Sequence, residues 1–303
     1  MMENKPLITI IMNCYNGELY LTQALESILK QTYSKWELIF WDNQSTDKSA
    51  EILNKFNEKR FRYFFSEKHT ILHKARNLAI KRAQGEFITF LDTDDWWISN
   101  KLELQLELFK NKNINLVYGN CWLVNNNTWI KKKIFSKKKL PTGRVLEEIL
   151  KNYLIPLPTI MIRKSAFDQS NYFFDERFKI IGDFDICVRL ATIWEFDCVQ
   201  KPIAFYRIHG KNFLSLNKDI EIKELQIWYN EMKEHPEISK KKELQQVSQK
   251  ISYLKTLKIV LHGNFFKALS KLIIFPLCLN KFKLLTVLIL PKFILKKIKI
   301  FGI

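Results

Sequence analysis

The first half of the chain alternates two patterns of apolar residues. Continuous apolar runs such as LITIIM (residues 7–12) and WELIFWD (residues 36–42) predict buried β-strands. A segment with apolar residues at helical spacing follows each run, beginning with LYLTQALESILKQ (residues 19–31). Strands and helices that alternate at this pace predict an α/β fold with a doubly wound, mostly parallel sheet and helices on both faces.

The alternation continues to about residue 215. The further predicted strands are FRYFF (61–65), EFITFLD (86–92), NLVYGNCWLV (115–124), PTIMIRKSAF (158–167, a strand entering a turn) and KPIAFYRIHG (201–210). The further predicted helices are KSAEILNKF (48–56), HKARNLAIKRA (73–83), KLELQLELF (101–109) and GDFDICVRLATIW (182–194). Gly85 follows one of these helices directly, which predicts a left-handed residue that ends it. NNNTWIKKKIFSKKKL (125–140) indicates a hairpin tip with a basic return strand.

The pattern becomes purely helical and strongly charged after about residue 215, so we predict two domains, residues 1–215 and 216–303. Residues 251–303 contain ten lysines and no Asp or Glu. Their most apolar run is far shorter than the roughly 20 residues that a membrane-spanning helix needs.

Basic amphipathic helices of this kind lie in the interface of an anionic membrane. The tail is therefore expected to bind an anionic membrane surface through its lysines and an apolar face. The residues expected to contact lipid are Leu254, Leu257, Phe265, Leu272 and Phe293. The alternative is that these side chains pack on the protein itself.

The amino-acid composition indicates a broad class of binding partner and a type of cellular compartment. The net charge of +18 implies an anionic partner: a nucleic acid, an anionic lipid or a phosphate-bearing substrate. The five cysteines form no C-x-x-C pair, so they indicate a reducing compartment rather than a zinc site or a disulfide framework. The N-terminal residues lack the basic and apolar regions of a signal peptide. We therefore expect a cytoplasmic protein, peripheral on the inner face of the cell membrane.

Acidic side chains cluster in FLDTDDWW (residues 90–97), directly after the fourth predicted strand. Three carboxylates, Asp92, Asp94 and Asp95, would repel one another there unless a hard cation such as Mg²⁺ or Mn²⁺ lay among them. Such a metal can hold a diphosphate and neutralise its charge as it leaves. The alternative is a helix N-terminus that carries acids because the helix dipole favours them.

Two other segments lie at the same edge of the predicted sheet. DNQSTD (residues 42–47) follows the second strand, and its Asp42 can accept hydrogen bonds from a base or a ribose. The rest of that segment is typical of a turn with Asp47 as a helix N-cap. Arg76 opens a helix that faces these strand ends, where a guanidinium could pair with a diphosphate or with a carboxylate.

Taken in order, these segments resemble family 2 glycosyltransferases, the inverting group with the GT-A fold. Residues 8–53 resemble the family's opening, and residues 75–97 resemble its next two landmarks. The later landmarks that PTIMIRKSAF, FDERF, GDFDICVRLA and YRIHGKNFLS resemble follow in the expected order. The resemblance covers roughly residues 7–215. It implies a hexosyltransferase that uses a nucleotide-diphosphate sugar, with a UDP-sugar as the expected donor, and Mn²⁺ or Mg²⁺.

The resemblance also implies roles for individual residues. Those matching the donor-binding positions are Tyr15, Asn16, Glu18 and Asp42 for the base and ribose, Arg76 near the nucleotide, Asp92 near the ribose and phosphates, and His209 near the diphosphate. Asp94, with Asp92, matches the metal-binding D-x-D pair, and Asp183 matches the catalytic base. The implied acceptor is a glycan or a lipid-linked sugar, as in the synthesis of bacterial polysaccharides and glycolipids.

The chain departs from the family at one position. The family usually has Glu-Asp in the motif of the base, whereas Gly182 precedes Asp183 here. Asp183 still matches the second member of that pair. The missing Glu leaves Asp185 as a rival base, although its spacing favours a structural role at the start of the helix.

Three alternatives to a glycosyltransferase can be weighed on the sequence. A nucleic-acid-binding protein would also be basic, but the strand ends here are acidic and would repel a phosphate backbone, so no nucleic acid partner is expected. A GT-A-like nucleotidyltransferase would have a Gly-rich phosphate loop after the first strand, whereas NCYNGE (residues 13–18) has a single Gly. A catalytically inactive relative is left open by Gly182.

Overall fold

The computed structural model describes residues 5–125, 132–170, 173–209, 217–262, 265–275 and 279–289. Backbone contacts divide the chain into two compact units, Met1–His209 and Gly210–Ile303. The predicted domain boundary at residue 215 falls within residues 210–216, which lie outside the described residues.

The first unit is built on one sheet. Within the described residues its strands are β1 (Ile8–Cys14), β2 (Trp36–Asp42), β3 (Phe61–Phe65), β4 (Phe87–Phe90), β5 (Trp96–Trp97), β6 (Ile114–Val124), β7 (Lys132–Ile134), β8 (Met161–Arg163) and β9 (Glu195–Arg207). Their order across the sheet is β3-β2-β1-β4-β8-β6-β9-β5, and β7 pairs with β6. β3, β2, β1 and β4 are parallel, β8 runs antiparallel between β4 and β6, and β6 and β9 are parallel again.

The helices of this unit follow the strands along the chain. They are α1 (Glu18–Leu29), α2 (Ser49–Lys55), α3 (Leu72–Ile80), α4 (Lys101–Leu108), α5 (Leu146–Lys151), α6 (Lys164–Ser170) and α7 (Gly182–Ala191), with a 3₁₀ turn at Leu157–Thr159. All seven residues of β2 are buried, as expected of a strand covered on both faces. The predicted α/β fold with a mostly parallel sheet is therefore confirmed.

Gly85 does not have the predicted conformation. Its backbone is not left-handed, and α3 ends at Ile80, five residues earlier. The need for glycine is one of space, because a Cβ atom at this position would lie 2.6 Å from the Thr9 backbone nitrogen and 2.7 Å from the Leu7 carbonyl oxygen. The prediction of a helix-ending residue was wrong, and close contact with β1 is the reason for the glycine.

Several boundaries also differ from the prediction. β9 begins at Glu195, six residues before the predicted strand. The strand predicted in residues 158–167 is short and leads into α6 rather than a turn. The predicted hairpin is present as β6 and β7, while its tip at residues 126–131 lies outside the described residues.

The four cysteines within the described residues are free and buried, and they are Cys14, Cys121, Cys187 and Cys198. Burial raises the pKa of each of these thiols. The fifth, Cys278, lies outside the described residues.

The second unit is helical wherever it is described. Its helices are α8 (Lys218–Met232), α9 (Leu244–His262), α10 (Phe265–Ile274) and α11 (Leu279–Ile289). A buried cluster of apolar side chains joins α9, α10 and α11, and its members are Leu257, Leu272, Phe275, Leu284 and Val287. No described helix is long and apolar enough to cross a bilayer.

This cluster corrects part of the prediction for the tail. Leu257 and Leu272 were expected to contact lipid, but both are buried within the second unit because they pack in the cluster. Leu254 is half-buried, and Phe293 lies outside the described residues. Phe265 is exposed as predicted. The large apolar side chains exposed on α10 and α11 are Phe265, Phe266, Ile273, Phe282 and Ile289, and we call this set the outer apolar face.

Candidate active site

The polar side chains of interest follow the carboxyl ends of three neighbouring parallel strands. β1 ends at Cys14, β2 at Asp42 and β4 at Phe90, and β1 lies between the other two. Ligands of open α/β sheets bind at this edge, because the loops that follow parallel strands open on the same side. The candidate site is therefore built from the loops after these strands.

The loops after β1 and β2 are tied to each other by side-chain hydrogen bonds. The Asn16 side-chain oxygen accepts a hydrogen bond from the Thr46 backbone N–H at 2.8 Å, and Glu18 Oε2 accepts one from the Lys48 N–H at 2.9 Å. Asn16 has a φ of 54°, a left-handed conformation that asparagine tolerates better than most residues. Asn16 and Glu18, both predicted to bind the donor, thus shape the loop pair as well.

Asp42 is almost fully buried and its carboxylate already has two partners. Oδ1 accepts a hydrogen bond from the Ser45 N–H at 2.7 Å, and Oδ2 accepts one from the Tyr63 hydroxyl at 2.9 Å. Each carboxylate oxygen can accept a second hydrogen bond, so these partners leave capacity for a ligand.

Tyr15 offers an aromatic surface at the same edge. Its side chain is 56% exposed, and its ring centroid lies 4.4 Å from that of His69. His69 was not singled out in the sequence. It is placed there by Asn43, whose backbone carbonyl oxygen lies 2.9 Å from His69 Nδ1.

Arg76 and Asp92 form an ion pair between α3 and the acidic loop after β4. Nη2 of Arg76 donates to Asp92 Oδ1 at 2.9 Å, and the arginine side chain is only 5% exposed. The pairing is one of the two roles expected of this arginine, namely holding an active-site carboxylate. It fixes the first acid of the D-x-D pair at the strand edge.

Asp94 and His209 converge in the same region. Nε2 of His209 lies 2.9 Å from Asp94 Oδ2. Burial raises the pKa of Asp94, and the neighbouring Asp92 charge raises it further. The loop therefore holds negative charge that the protein compensates only in part.

A divalent cation fits this donor set. The carboxylate oxygens of Asp92 and Asp94 are the donors that a hard cation prefers, and the 2.9 Å between Asp94 and His209 is a hydrogen-bonding distance. No three or more His, Cys, Asp or Glu side chains within the described ranges are grouped to hold a metal. Mg²⁺ commonly takes only one or two carboxylates and completes its shell with water and substrate phosphates.

Asp95, the third acid of the loop, has a structural environment. It is 2% exposed, and burial raises its pKa well above the usual range. Its Oδ1 accepts a hydrogen bond from the Arg207 backbone N–H at 2.8 Å. Asp95 thus joins the acidic loop to the end of β9.

Asp183 stands in the first turn of α7. Its Oδ1 accepts a hydrogen bond from the Phe184 N–H at 2.9 Å. Burial raises the pKa of Asp183 to about 6, and the Arg76 charge acts in the opposite direction. A carboxylate with this pKa is suited to accept a proton near neutral pH.

Asp185, the rival base, is fully buried and paired within its own helix. Arg189 Nε donates to Asp185 Oδ1 at 2.7 Å, and the two residues are one helical turn apart. This contact supports the structural role that the spacing of Asp185 predicts. A catalytic base must contact an acceptor that arrives from solvent, whereas Asp185 is fully buried.

Arg207 is a further site residue that the sequence prediction missed. Its Nε donates to the Asp94 backbone oxygen at 2.9 Å, and its guanidinium carbon lies 4.2 Å from the centroid of the Tyr20 ring. Side chains two residues apart on a strand share a face, so the histidine chosen at position 209 could have pointed to Arg207.

Comparisons with known proteins agree with the resemblance. The model of the family described as "Glycosyl transferase family 2" matches residues 9–170. The chain is 36% identical over 166 residues to the UDP-Glc:alpha-D-GlcNAc-diphosphoundecaprenol beta-1,3-glucosyltransferase WfgD of Escherichia coli, covering 55% of this chain and 64% of that protein. The chain thus spans just under two thirds of the length of WfgD. It is 29% identical over 219 residues to the uncharacterized glycosyltransferase MJ1057 of Methanocaldococcus jannaschii, covering 70% of this chain and 74% of that protein.

Solved structures share the fold at low sequence identity. S. aureus TarS 1-349 in complex with UDP-GlcNAc aligns with a TM-score of 0.64 and 18% identity, covering 89% of this chain and 81% of that chain. The mannosyltransferase PcManGT from Pyrobaculum calidifontis, in complex with GDP-Man and Mn²⁺, aligns with a TM-score of 0.64 and 15% identity, covering 97% and 84%. The fold is GT-A, as predicted. Since the family model matches just over half of the 303 residues, the chain belongs to glycosyl transferase family 2.

Proposed function

We propose that the chain transfers a sugar from a UDP-sugar to a hydroxyl group of a lipid-linked glycan, with inversion at the anomeric carbon. The observation that carries the proposal is Asp183, a carboxyl group with a pKa of about 6 in the neighbourhood of Arg76 and the acidic loop. The donor and acceptor classes are supported by WfgD, whose name gives UDP-Glc and a diphosphoundecaprenol-linked GlcNAc, and by the TarS complex with UDP-GlcNAc.

The proposed reaction is a single in-line displacement. The acceptor oxygen attacks the anomeric carbon while the bond from that carbon to the diphosphate oxygen breaks. Asp183 takes the hydroxyl proton, and the nucleoside diphosphate leaves with the electron pair of the broken bond. With a pKa of about 6, Asp183 is mostly ionised at neutral pH and still basic enough to take the proton.

The loops after β1 and β2 would hold the nucleoside. The exposed Tyr15 ring can stack on the base, and Asp42 can accept a further hydrogen bond from the ribose through a free lone pair. Asn16 and Glu18 would act by fixing the loops that line this side of the site. Arg76 would lie near the diphosphate, held by Asp92.

A Mn²⁺ or Mg²⁺ ion would be held by Asp94, with Asp92 and His209 beside it. When bound, such an ion neutralises the negative charge that grows on the departing diphosphate. Arg207 fixes the Asp94 backbone, and the Arg76 pair fixes Asp92. The protein thus holds the carboxylates of the D-x-D pair from two sides.

We further propose that the second unit binds the surface of an anionic membrane, where a lipid-linked acceptor is found. The helices α10 and α11, which carry the outer apolar face, also carry Lys267, Lys271, Lys281 and Lys283, and residues 251–303 contain no acid. Exposed apolar side chains beside lysines are typical of helices that lie in the membrane interface. A protein on the inner face of the cell membrane would meet both its cytoplasmic donor and its acceptor there.

The proposed function is tested by an assay of nucleotide release and transfer. The chain is incubated with UDP-Glc, UDP-GlcNAc or GDP-Man, with Mn²⁺, Mg²⁺ or a chelator, and with a GlcNAc-diphospholipid acceptor. Product formation with a UDP-sugar, lost in the chelator and in Asp183→Asn, is expected. Failure to release nucleotide from any donor would overturn the proposal, and a product that retains the anomeric configuration would overturn the inverting mechanism.

A further inference from the structure

Gly182 precedes the proposed base at a position where the family usually carries an acid. A Cβ atom at residue 182 would lie 2.3 Å from Nε2 and 2.5 Å from Cδ2 of His73. Such distances are far inside van der Waals contact, so the glycine is required while the His73 ring is in place. The two residues are 109 positions apart in the sequence. The His73 ring therefore occupies the space that any side chain at residue 182 would need.

His73 is held firmly in this position. It lies in the first turn of α3 and is 1% exposed. Its ring stacks on Phe174, with centroids 5.2 Å apart and an angle of 8° between the planes. Burial, together with the Arg76 charge, lowers the pKa of His73 well below its usual value, so the ring is neutral.

The ring also contacts the arginine of the site. Nη1 of Arg76 lies 3.4 Å from His73 Nδ1, and because a guanidinium can only donate, Nδ1 is the acceptor. Nη2 of the same arginine binds Asp92. The His73 ring thus contacts the Arg76 guanidinium, which binds Asp92, and also the backbone of Gly182, the residue before the base.

We propose that His73 is a positioning residue that sets the place of Asp183, with Gly182 as its steric partner. The inference rests on the proposed function, since it assigns a role toward that reaction. The contact between His73 and Gly182 explains how Asp183 can be held in place although no acidic residue precedes it. By this reasoning Gly182 is no sign of an inactive relative.

The experiment is a double-mutant cycle on this pair, with kcat and the donor KM measured for each variant. In Gly182→Ala the new methyl group displaces Asp183, and we expect kcat to fall on the order of 100-fold, since a misplacement of about 1 Å has that effect. The donor KM should change less than about threefold, because a base acts in the transition state. In the double variant Gly182→Ala/His73→Ala the clash is removed, so kcat should recover relative to Gly182→Ala.

A shape-conserving variant separates positioning from simple loss of packing. His73→Phe keeps a planar aromatic ring, somewhat larger than imidazole, against Phe174 and Gly182, so its kcat should stay well above that of His73→Ala. The matched control is a second glycine with a steric partner: a Cβ at Gly119 would lie 2.6 Å from Cδ1 of Ile203. The cycle of Gly119→Ala and Ile203→Ala should change the melting temperature while leaving the kcat of folded protein nearly unchanged.

The outcomes are distinguishable. If wild-type protein transfers no sugar, the proposed function fails and this inference fails with it. If wild type is active but Gly182→Ala keeps its kcat, or the two substitutions act independently on kcat, the positioning role is overturned while the proposed function stands. It is also overturned if the Gly119 pair lowers kcat as much as the Gly182 pair.

Discussion

At the scale of single residues, the charge on Asp183 is needed only while the acceptor proton moves. We expect Asp183→Asn to lower kcat by about 10² to 10⁴-fold, the usual contribution of a general base. UDP affinity should be unchanged, because the amide removes an interaction of the transition state and not of the ground state. Isothermal titration with UDP, beside steady-state transfer assays, checks both parts. A loss of UDP affinity equal to the loss in kcat would argue that Asp183 binds the donor.

The pH dependence of transfer follows from the same carboxyl group. Because burial raises its pKa to about 6, Asp183 becomes protonated as the pH falls through that value and can no longer accept a proton. We expect kcat/KM to fall about tenfold per pH unit below that point. A raised pKa means that protonation of this group stabilises the fold, so the acid loss is not unfolding through Asp183. Melting curves across the same pH range serve as the control, and a profile that is flat through pH 6 would contradict the assignment.

Asp94 should act on metal-dependent binding of the donor. We expect Asp94→Asn to abolish measurable transfer and to remove the increase in UDP affinity that Mn²⁺ produces, since a charged oxygen ligand is lost. Asp95→Asn is the matched control: Asp95 is buried, and its amide can still accept from the Arg207 N–H. It should affect stability more than Mn²⁺ dependence. Wild-type turnover of Asp94→Asn at saturating metal would show that another group holds the ion.

At the scale of elements, α7 carries two acids with different tasks. Asp185 is fully buried and accepts a hydrogen bond from the Arg189 guanidinium, so the substitution removes one charge of a buried ion pair. We expect Asp185→Asn to lower the free energy of unfolding by about 3 kcal/mol. Urea unfolding measures the loss, and transfer by the folded fraction should stay close to wild type. An inactive but stable Asp185→Asn would instead make Asp185 the base.

The strands of the parallel half could be predicted because each is a largely apolar run, and β1, β2 and β4 are buried on both faces. β2 and β3 have the predicted bounds, and β1 differs by one residue at its start and two at its end. β5 is only two residues long, which is too short to show a periodic pattern of apolar residues, so it could not be predicted. The first part of β9 alternates buried Phe196 and Cys198 with more exposed neighbours, which is a strand signal that the prediction passed over.

Some residues of the candidate site could be predicted from the sequence, and others could not. The residues at or just after the strand ends, among them Asp42 and Asp92, could be chosen because the sheet fixes where strand ends meet. His73 and Arg207 could not be chosen in this way, since their roles depend on contacts between segments more than 100 residues apart. The space that requires Gly85 and Gly182 likewise exists only in the folded chain.

At the scale of the whole molecule, the outer apolar face gives a direct test of membrane binding. We expect the protein to sediment with liposomes that contain anionic lipid, and to do so less at high salt, because each lysine near the surface contributes about 1 kcal/mol that salt screens. Replacing Phe265, Phe266 and Phe282 with Ser should weaken binding further and leave the melting temperature nearly unchanged, since these side chains are exposed.

The matched control for this experiment is Phe65→Ser. Phe65 is 57% exposed, close to the 53% of Phe265, but it belongs to the first unit. It should leave liposome binding unchanged. Equal binding of the triple variant and wild type, or binding by wild type that ignores anionic lipid, would overturn membrane docking by this face. Replacing buried Leu272 with Ser should instead lower the melting temperature, because it belongs to the apolar cluster.

The reactivity of the four buried cysteines can report local opening of the folded chain. Their thiols are shielded from solvent and their pKa values are raised, so a thiolate-seeking reagent reacts with them only when the surrounding structure opens. Peptide-resolved labelling with such a reagent would therefore time the opening at Cys14, beside the loops proposed to hold the nucleoside, separately from that at Cys187 in α7. A nucleotide that closes the first of these regions would slow the labelling of Cys14 more than that of Cys187.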